Sequence, residues 1–181
     1  TTGGPSALME AFSKIPERPR SAIIIVQHMP EKFTRTFAER LDRRSPMRVS
    51  EAQEGDMVTA GRAFVCPGRR CVELERARNG ELRLKVVVPV PSDRYAPSAD
   101  RLFFSCARVA AAKAIGVVLT GMGDDGVQGA RAIAQVGGTV VAESAATAVV
   151  YGMPGAAVRA GVVSRSMAIH EIAEWLAAVC I

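Results

Sequence analysis

The chain has 181 residues, 49% of them hydrophobic, which suits one domain with a full core and excludes two small ones. Its 23 Lys and Arg outnumber 18 Asp and Glu for a net charge of +5, but the arginines are scattered and the aromatic content is only 5%, so they read as a solvated surface and exclude a nucleic-acid interface. No apolar run approaches a membrane span and no signal peptide precedes the fold, so a cytoplasmic protein is expected. Cys66, Cys71, Cys106 and Cys180 show no C-x-x-C spacing and no histidine cluster, which points to reduced thiols with no metal.

The sequence opens without a methionine on Thr1-Thr2-Gly3-Gly4-Pro5, in what reads as a functional loop, so a piece of a longer chain is expected. Paired glycines ahead of a helix let main-chain N–H groups converge on one point, as an anion hole requires. Pro5 suits the first helical turn, and Leu8, Ala11, Phe12 and Ile15 give that helix an apolar face up to Pro16. Residues 22–26, Ala-Ile-Ile-Ile-Val, are the least ambiguous strand and run into Gln27-His28-Met29-Pro30. His28 therefore falls at the carboxyl end of a buried strand. Pro30 then opens a helix with Phe33, Phe37, Ala38 and Leu41 inward and Arg40, Arg43 and Arg44 outward.

From Arg48 short alternating segments follow over 48–52, 62–66, 72–76 and 81–87, with a hairpin signal at Asn79-Gly80. They are expected to be strands, with an antiparallel hairpin, added at one edge of the domain. Residues 88–98 form a proline-rich polar loop that reads as the rim of a substrate cleft. Ser98 caps a helix carrying Asp100, Leu102, Phe103 and Ala107.

The organising stretch comes next. Val117-Val118-Leu119 reads as a strand buried on both faces, Gly121-Met122-Gly123-Asp124-Asp125-Gly126 as a tight turn, and 127–136 as a helix stopped by Gly137-Gly138. A strand, a glycine turn and a helix mark the sheet edge where open α/β folds place their chemistry. The turn also matches the G-x-G-x-x-G dinucleotide pattern, with Glu143 near the position of a ribose-binding acid, so a nicotinamide-binding domain is a remote alternative. Against it, two carboxylates would crowd a pyrophosphate at this helix end. A strand at 139–142, a small-residue helix from Ser144, the interruption Tyr151-Gly152-Met153-Pro154, a short helix to Ala160, a strand at Val162-Val163 and a helix over 168–179 complete the chain, with His170 facing outward.

Strand-end loops thus carry a hydroxyl (Thr1 or Thr2), an imidazole (His28) and a carboxylate (Asp125), the set that acyl transfer uses. The turn around Met122 can aim a main-chain N–H at a developing oxyanion.

These residues resemble the catalytic domain of CheB-type chemotaxis methylesterases. The resemblance rests on Thr2-Gly3-Gly4-Pro5, Gln27-His28-Met29-Pro30 with Phe33 and Phe37, Cys66-Pro67-Gly68, Pro97-Ser98-Ala99-Asp100 with Leu102-Phe103, residues 119–126, and Gly152-Met153-Pro154. It implies an α/β fold, a single three-layer α/β/α domain around a mostly parallel sheet, here with an antiparallel hairpin elaboration. It implies hydrolysis of glutamate methyl esters on the cytoplasmic domains of methylated chemoreceptors, often with glutamine deamidation. His28 would be the general base, Asp125 its orienter and Thr1 the residue at the nucleophile's position. The N–H groups of Thr2 and Met122 would form the oxyanion hole, with Gly3, Gly4, Met29, Gly121, Gly123 and Met153 around the cleft. A receiver domain in the same chain and a strand upstream of Thr1 are also implied, and no cofactor, nucleic acid or membrane insertion. The family reads Ser-Thr-Gly-Gly where this chain reads Thr1-Thr2-Gly3-Gly4. The extra methyl restricts χ1 and crowds the attack path. A partner-binding domain of the same fold, with weakened or no catalysis, is therefore the alternative.

Overall fold

The computed structural model describes residues 2–17 and 19–180. Helix α1 (Gly4–Ser13) takes Pro5 in its first turn, where a missing N–H costs nothing, and buries Ala7, Ala11 and Phe12. It stops short of Pro16. Strand β1 (Ile23–Ile25) delivers the chain to residues 27–30, and α2 (Glu31–Arg44) follows, burying Thr34, Phe37, Ala38 and Leu41. Phe33, expected inward, is 48% exposed, because it falls at the edge of the stripe those four positions form.

Strands β2 (Arg48–Glu51) and β3 (Arg62–Val65) pair in parallel with β1 in the order β1-β3-β2. This corrects their expected place in an edge elaboration. Only β4 (Cys71–Arg76) and β5 (Leu82–Val87) form the antiparallel hairpin. The pattern misled because β2 is an edge strand with Val49 alone fully buried, so it alternates as a half-exposed strand does, although its pairing is parallel.

Helix α3 (Ala99–Ala110) starts at Ser98, whose Oγ accepts the Arg101 N–H at 3.2 Å. A 3₁₀ turn, Ala111–Lys113, leads to β6 (Ile115–Val118), α4 (Val127–Gln135), β7 (Thr139–Glu143), α5 (Met153–Arg159), β8 (Arg165–Met167) and α6 (Ile169–Val179). Strands β6, β7 and β8 form a second parallel sheet in that order. No helix forms from Ser144. None of residues 144–150 is buried, so no packing supports a helix there, and the Thr147 hydroxyl instead donates to Glu143 and accepts the Ile169 N–H, each at 2.9 Å. The last strand falls at 165–167 and not at 162–163. Val162 turns into the core with Val140 and Ala157, and the pairing with β7 begins only where the Ser164 N–H reaches the Val140 carbonyl at 2.9 Å.

The layers follow from where apolar side chains go. Phe12 of α1 and Ile15 just beyond it, with Phe37 and Leu41 of α2, cover one face of the first sheet, and Ala7 of α1 with Ile169 and Ile172 of α6 continue that layer over Val141. On the other face Phe64 meets Leu102 of α3 and Leu84 of the hairpin, while Val118 and Val140 meet Ile133 of α4 and Ala157 of α5. Each such large aliphatic or aromatic side chain contributes about 1.5–3 kcal/mol by leaving water. Among the described residues β1 pairs only with β3, and β6 only with β7. A cavity of about 420 Å³ is lined by both strands, with Phe12 and Leu176 on one side and Leu102 and Phe103 on the other. No helix of the described residues is long and apolar enough to cross a membrane.

Candidate active site

The loop after β1 and the glycine turn after β6 bring two distant side chains together. His28 Nε2 lies 2.7 Å from Asp125 Oδ2, 97 positions apart in sequence. The Asp125 side chain is fully buried and that of His28 is 21% exposed. A buried carboxylate is costly unless its oxygens are paired. Here the N-terminus of α3 supplies the pairing: the Ala99 N–H donates to Oδ2 at 2.7 Å and the Asp100 N–H to Oδ1 at 3.0 Å. An ionised carboxylate only accepts, so with Asp125 ionised Nε2 is the donor of this contact, and in a neutral imidazole Nδ1 is then the acceptor nitrogen. Such a ring can take a proton from a hydroxyl, and Asp125 can stabilise the imidazolium that results.

Residues 88–98 close over one side of this pair. The Tyr95 ring packs against that of His28, and its hydroxyl donates to Asp124 Oδ1 at 3.0 Å. Arg94 lies over the Tyr95 ring and pairs with Asp124 at 3.3 Å. The Tyr95 hydroxyl bond, and then Arg94, hold the Asp124 carboxyl below the usual range. The loop is fixed from beneath by Arg101, which meets Asp93 Oδ2 at 2.8 Å and Glu73 Oε1 at 2.7 Å. Gly123, at φ +94, lets the turn pass under Tyr95, whose hydroxyl would sit 2.8 Å from a Cβ at that position.

The other expected site residues are placed as follows. Thr1 lies outside the described residues. Thr2 is exposed, and its carbonyl is 3.0 Å from Thr120 Oγ1. Gly3 lies against Val149 and Thr120, and Gly4 against the buried Gln27. Gly121 is pinned on both sides, its N–H donating to Val150 at 3.0 Å and its carbonyl accepting from Met153 at 2.8 Å. That brace presents Met122, 70% exposed, at the tip of the turn, where no described group accepts from its N–H. Met29 is half-buried against the cluster of Phe12 and Phe37, and Met153 against that of Val118 and Ile133.

Glu143 is not available to a ribose. It is buried, with Oε1 accepting the Thr120 N–H and Oε2 the Thr147 hydroxyl, both at 2.9 Å. No group of three or more His, Cys, Asp or Glu among the described residues could hold a metal. Burial pushes the Cys66 thiol up to about 12 and the Cys106 thiol to about 11, so neither is a nucleophile near neutrality.

Two residues at the site escaped the sequence reading of roles. Tyr95 was legible only as part of a polar rim, since nothing in 88–98 says which side chain turns inward. Asp100 stood out only as a member of the helix that Ser98 caps and of the Pro97-Ser98-Ala99-Asp100 motif, yet its Oδ1 accepts the Gly129 N–H of a different helix at 2.7 Å.

Comparison with known proteins adds independent information. The model of the CheB methylesterase family matches residues 1–176. A protein-glutamate methylesterase/protein-glutamine glutaminase 1 of Myxococcus xanthus is 47% identical over 178 residues, covering 98% of this chain and 51% of that protein. A protein-glutamate methylesterase/protein-glutamine glutaminase 6 of Anaeromyxobacter dehalogenans is 48% identical over 175 residues, covering 95% of this chain and 50% of that protein. The chain thus spans about half the length of the curated relatives it matches. The crystal structure of the Thermotoga maritima CheB methylesterase catalytic domain superimposes with a TM-score of 0.93 at 35% identity, covering 98% of this chain and 94% of that one.

Proposed function

The chain belongs to the CheB methylesterase family, and from that premise we propose that it hydrolyses glutamate methyl esters on the cytoplasmic domains of methylated chemoreceptors and deamidates glutamines there. The observation that carries the proposal is the 2.7 Å contact between His28 Nε2 and the buried Asp125. In this scheme His28 takes the proton of the Thr1 hydroxyl as its oxygen attacks the ester carbonyl. The N–H groups of Thr2 and Met122 receive the oxyanion. The imidazolium returns the proton to the departing methoxide, methanol leaves, and a water activated by the same ring frees the glutamate. Asp125 keeps the ring in the required tautomer throughout.

The test is methanol release from methylated receptor by this protein and by His28→Ala. Equal rates would remove His28 from the mechanism. The identity of Thr1 favours one second reading, a partner-binding domain with weakened catalysis, which strong turnover would eliminate.

The proposal extends beyond the site. A strand from upstream of Thr1 would lie in the cavity between β1 and β6 and lead into the loop at Thr2. That β1 and β6 each have one strand neighbour among the described residues, and that both line this apolar cavity, support it. A receiver domain in the same chain and a cytoplasmic location belong to the same reading, supported by the family.

A further inference from the structure

Helices α3 and α4 cap one another. Asp125, which precedes the first residue of α4 by two positions, gives its carboxylate to the Ala99 and Asp100 N–H groups of α3. Asp100, in the first turn of α3, gives its own carboxylate to the Gly129 N–H of α4 at 2.7 Å. Gly126, at the cap of α4, has no side chain to offer, so the acceptor must come from the neighbouring helix. The exchange is possible because the helices nearly touch: a Cβ at Gly129 would run into Phe103 and lie 3.0 Å from the Asp100 carbonyl.

The exchange links helix packing to the site. Asp125 is tied to α3 through its own oxygens, but the chain that carries it continues directly into α4. Where α4 begins relative to α3 therefore sets where the 124–126 turn places Asp125, and Asp100 is the side chain that fixes that start. Asp100 also sits in an unfavourable place for a charge. Burial pushes its carboxyl up, the Gly129 N–H bond offsets part of that, and the Asp125 and Asp124 carboxylates push it up again. Arg94 and Arg159 line the same small pocket as Asp100 and Asp124.

We propose that Asp100 is a positioning residue for the His28–Asp125 pair, acting through its bond to the first turn of α4. The proposal rests on the esterase reading for its kinetic readout only. Its test uses Asp100→Ala, Asp100→Asn and a remote cap variant, Glu171→Ala, which removes the acceptor of the Ala168 N–H on α6. Readouts are kcat and KM for methanol release, the melting temperature, and the downfield proton resonance of the His28 N–H bonded to Asp125. A displacement below an ångström at a catalytic group is enough to cost about 10–100-fold in rate, so Asp100→Ala is expected to lower kcat by that factor with KM within about twofold. The resonance should shift or vanish. Asp100→Asn keeps an oxygen for Gly129 and should restore both kcat and the resonance. Glu171→Ala should lower the melting temperature without touching either.

Loss of melting temperature in Asp100→Ala with kcat and resonance unchanged would overturn the proposal. So would an Asp100→Asn variant as impaired as Asp100→Ala. If Asp100→Ala does not fold, Asp100→Gln, whose acceptor stands one methylene too far out, carries the same test. A wild-type protein without methanol release, but with a resonance that Asp100→Ala abolishes, would refute the esterase reading and leave the positioning role standing.

Discussion

Tyr95 leans against His28, with ring centroids 5.5 Å apart and planes inclined by 31°. The contact closes one face of the imidazole, so the ring cannot turn away from Asp125 in that direction. Tyr95→Ala should lower kcat about tenfold, the aromatic contact being worth about 0.5–1.5 kcal/mol beyond burial. Tyr95→Phe keeps the stack and loses only the hydroxyl bond to Asp124. Its kcat should stay within about twofold of wild type, since the bond lost is on the exposed side of the turn. Steady-state kinetics of the two variants separate these effects. Equal losses in both would mean that the hydroxyl, not the ring, is what matters.

Asp125 has a structural duty as well as a proposed catalytic one, and substitutions can split them. Asp125→Ala leaves the Ala99 and Asp100 N–H groups without their acceptors, and an unsatisfied buried donor costs about 1–3 kcal/mol. A clear drop in denaturant midpoint is expected. His28→Ala removes no acceptor from α3 and should leave the midpoint much nearer to wild type. Asp125→Asn retains one acceptor oxygen for α3 but favours the wrong imidazole tautomer, so activity should fall by about 10⁴ while stability falls less than in Asp125→Ala. Urea titrations and methanol-release rates on the same three proteins check the separation.

What the sequence disclosed divides along physical lines. The runs of Ile23 to Ile25 and of Val117 and Val118 were legible because strands covered by helices on both faces need no polar positions. Ser98 and the Asn79-Gly80 pair were legible because a cap and a tight hairpin each demand a particular residue chemistry. The second strand of the first sheet was not, since an edge position gives a parallel strand the alternation of an antiparallel one. Residues 144–150 misled because their alanines favour a helix, whereas the β-branched Thr147, Val149 and Val150 do not, and Thr147 and Glu143 have better partners elsewhere. At the site, a histidine and an aspartate at strand ends could be singled out from position alone, and their side chains do meet. Tyr95 and Asp100 could not, because each acts through contacts about 30 positions away that only the packing of α3 on α4 and of the 88–98 loop on the turn creates.

The thiols of Cys66, buried, and Cys106, half-buried, make alkaline stability testable. Cys66 ionises at about 12 and Cys106 at about 11 in the folded protein, both raised by burial from an ordinary value of 9.0. Below pH 9 both thiols keep their protons whether the chain is folded or not, and stability does not depend on them. Above pH 9 the unfolded chain releases protons that the folded chain still holds, so stability falls as pH rises, by up to about 1.4 kcal/mol per pH unit per thiol. For Cys106 the loss ends near pH 11, and for Cys66 near 12. Urea midpoints measured between pH 8 and about 10.5 should therefore decline more steeply in wild type than in a Cys66→Ala, Cys106→Ala double variant. Parallel curves would show that the thiols carry none of the slope.

Thr1 supplies the sharpest kinetic prediction. A threonine and a serine hydroxyl have the same acid–base chemistry, so replacing one by the other leaves the demand on His28 unchanged. What differs is the methyl on Cβ, which narrows the choice of χ1 and adds bulk beside the hydroxyl that the proposed mechanism uses. The residues that follow are fixed, Thr2 being held at its carbonyl by Thr120 at 3.0 Å while Gly3 lies against Val149. Thr1→Ser is accordingly expected to raise kcat/KM for methanol release about tenfold, equivalent to about 1.4 kcal/mol of barrier. Thr1→Ala should abolish turnover above the rate of the His28→Ala variant. If Thr1→Ala retained wild-type turnover, the attacking group would have to be sought elsewhere. If Thr1→Ser were slower than the native protein, the methyl would be aiding the geometry rather than obstructing it.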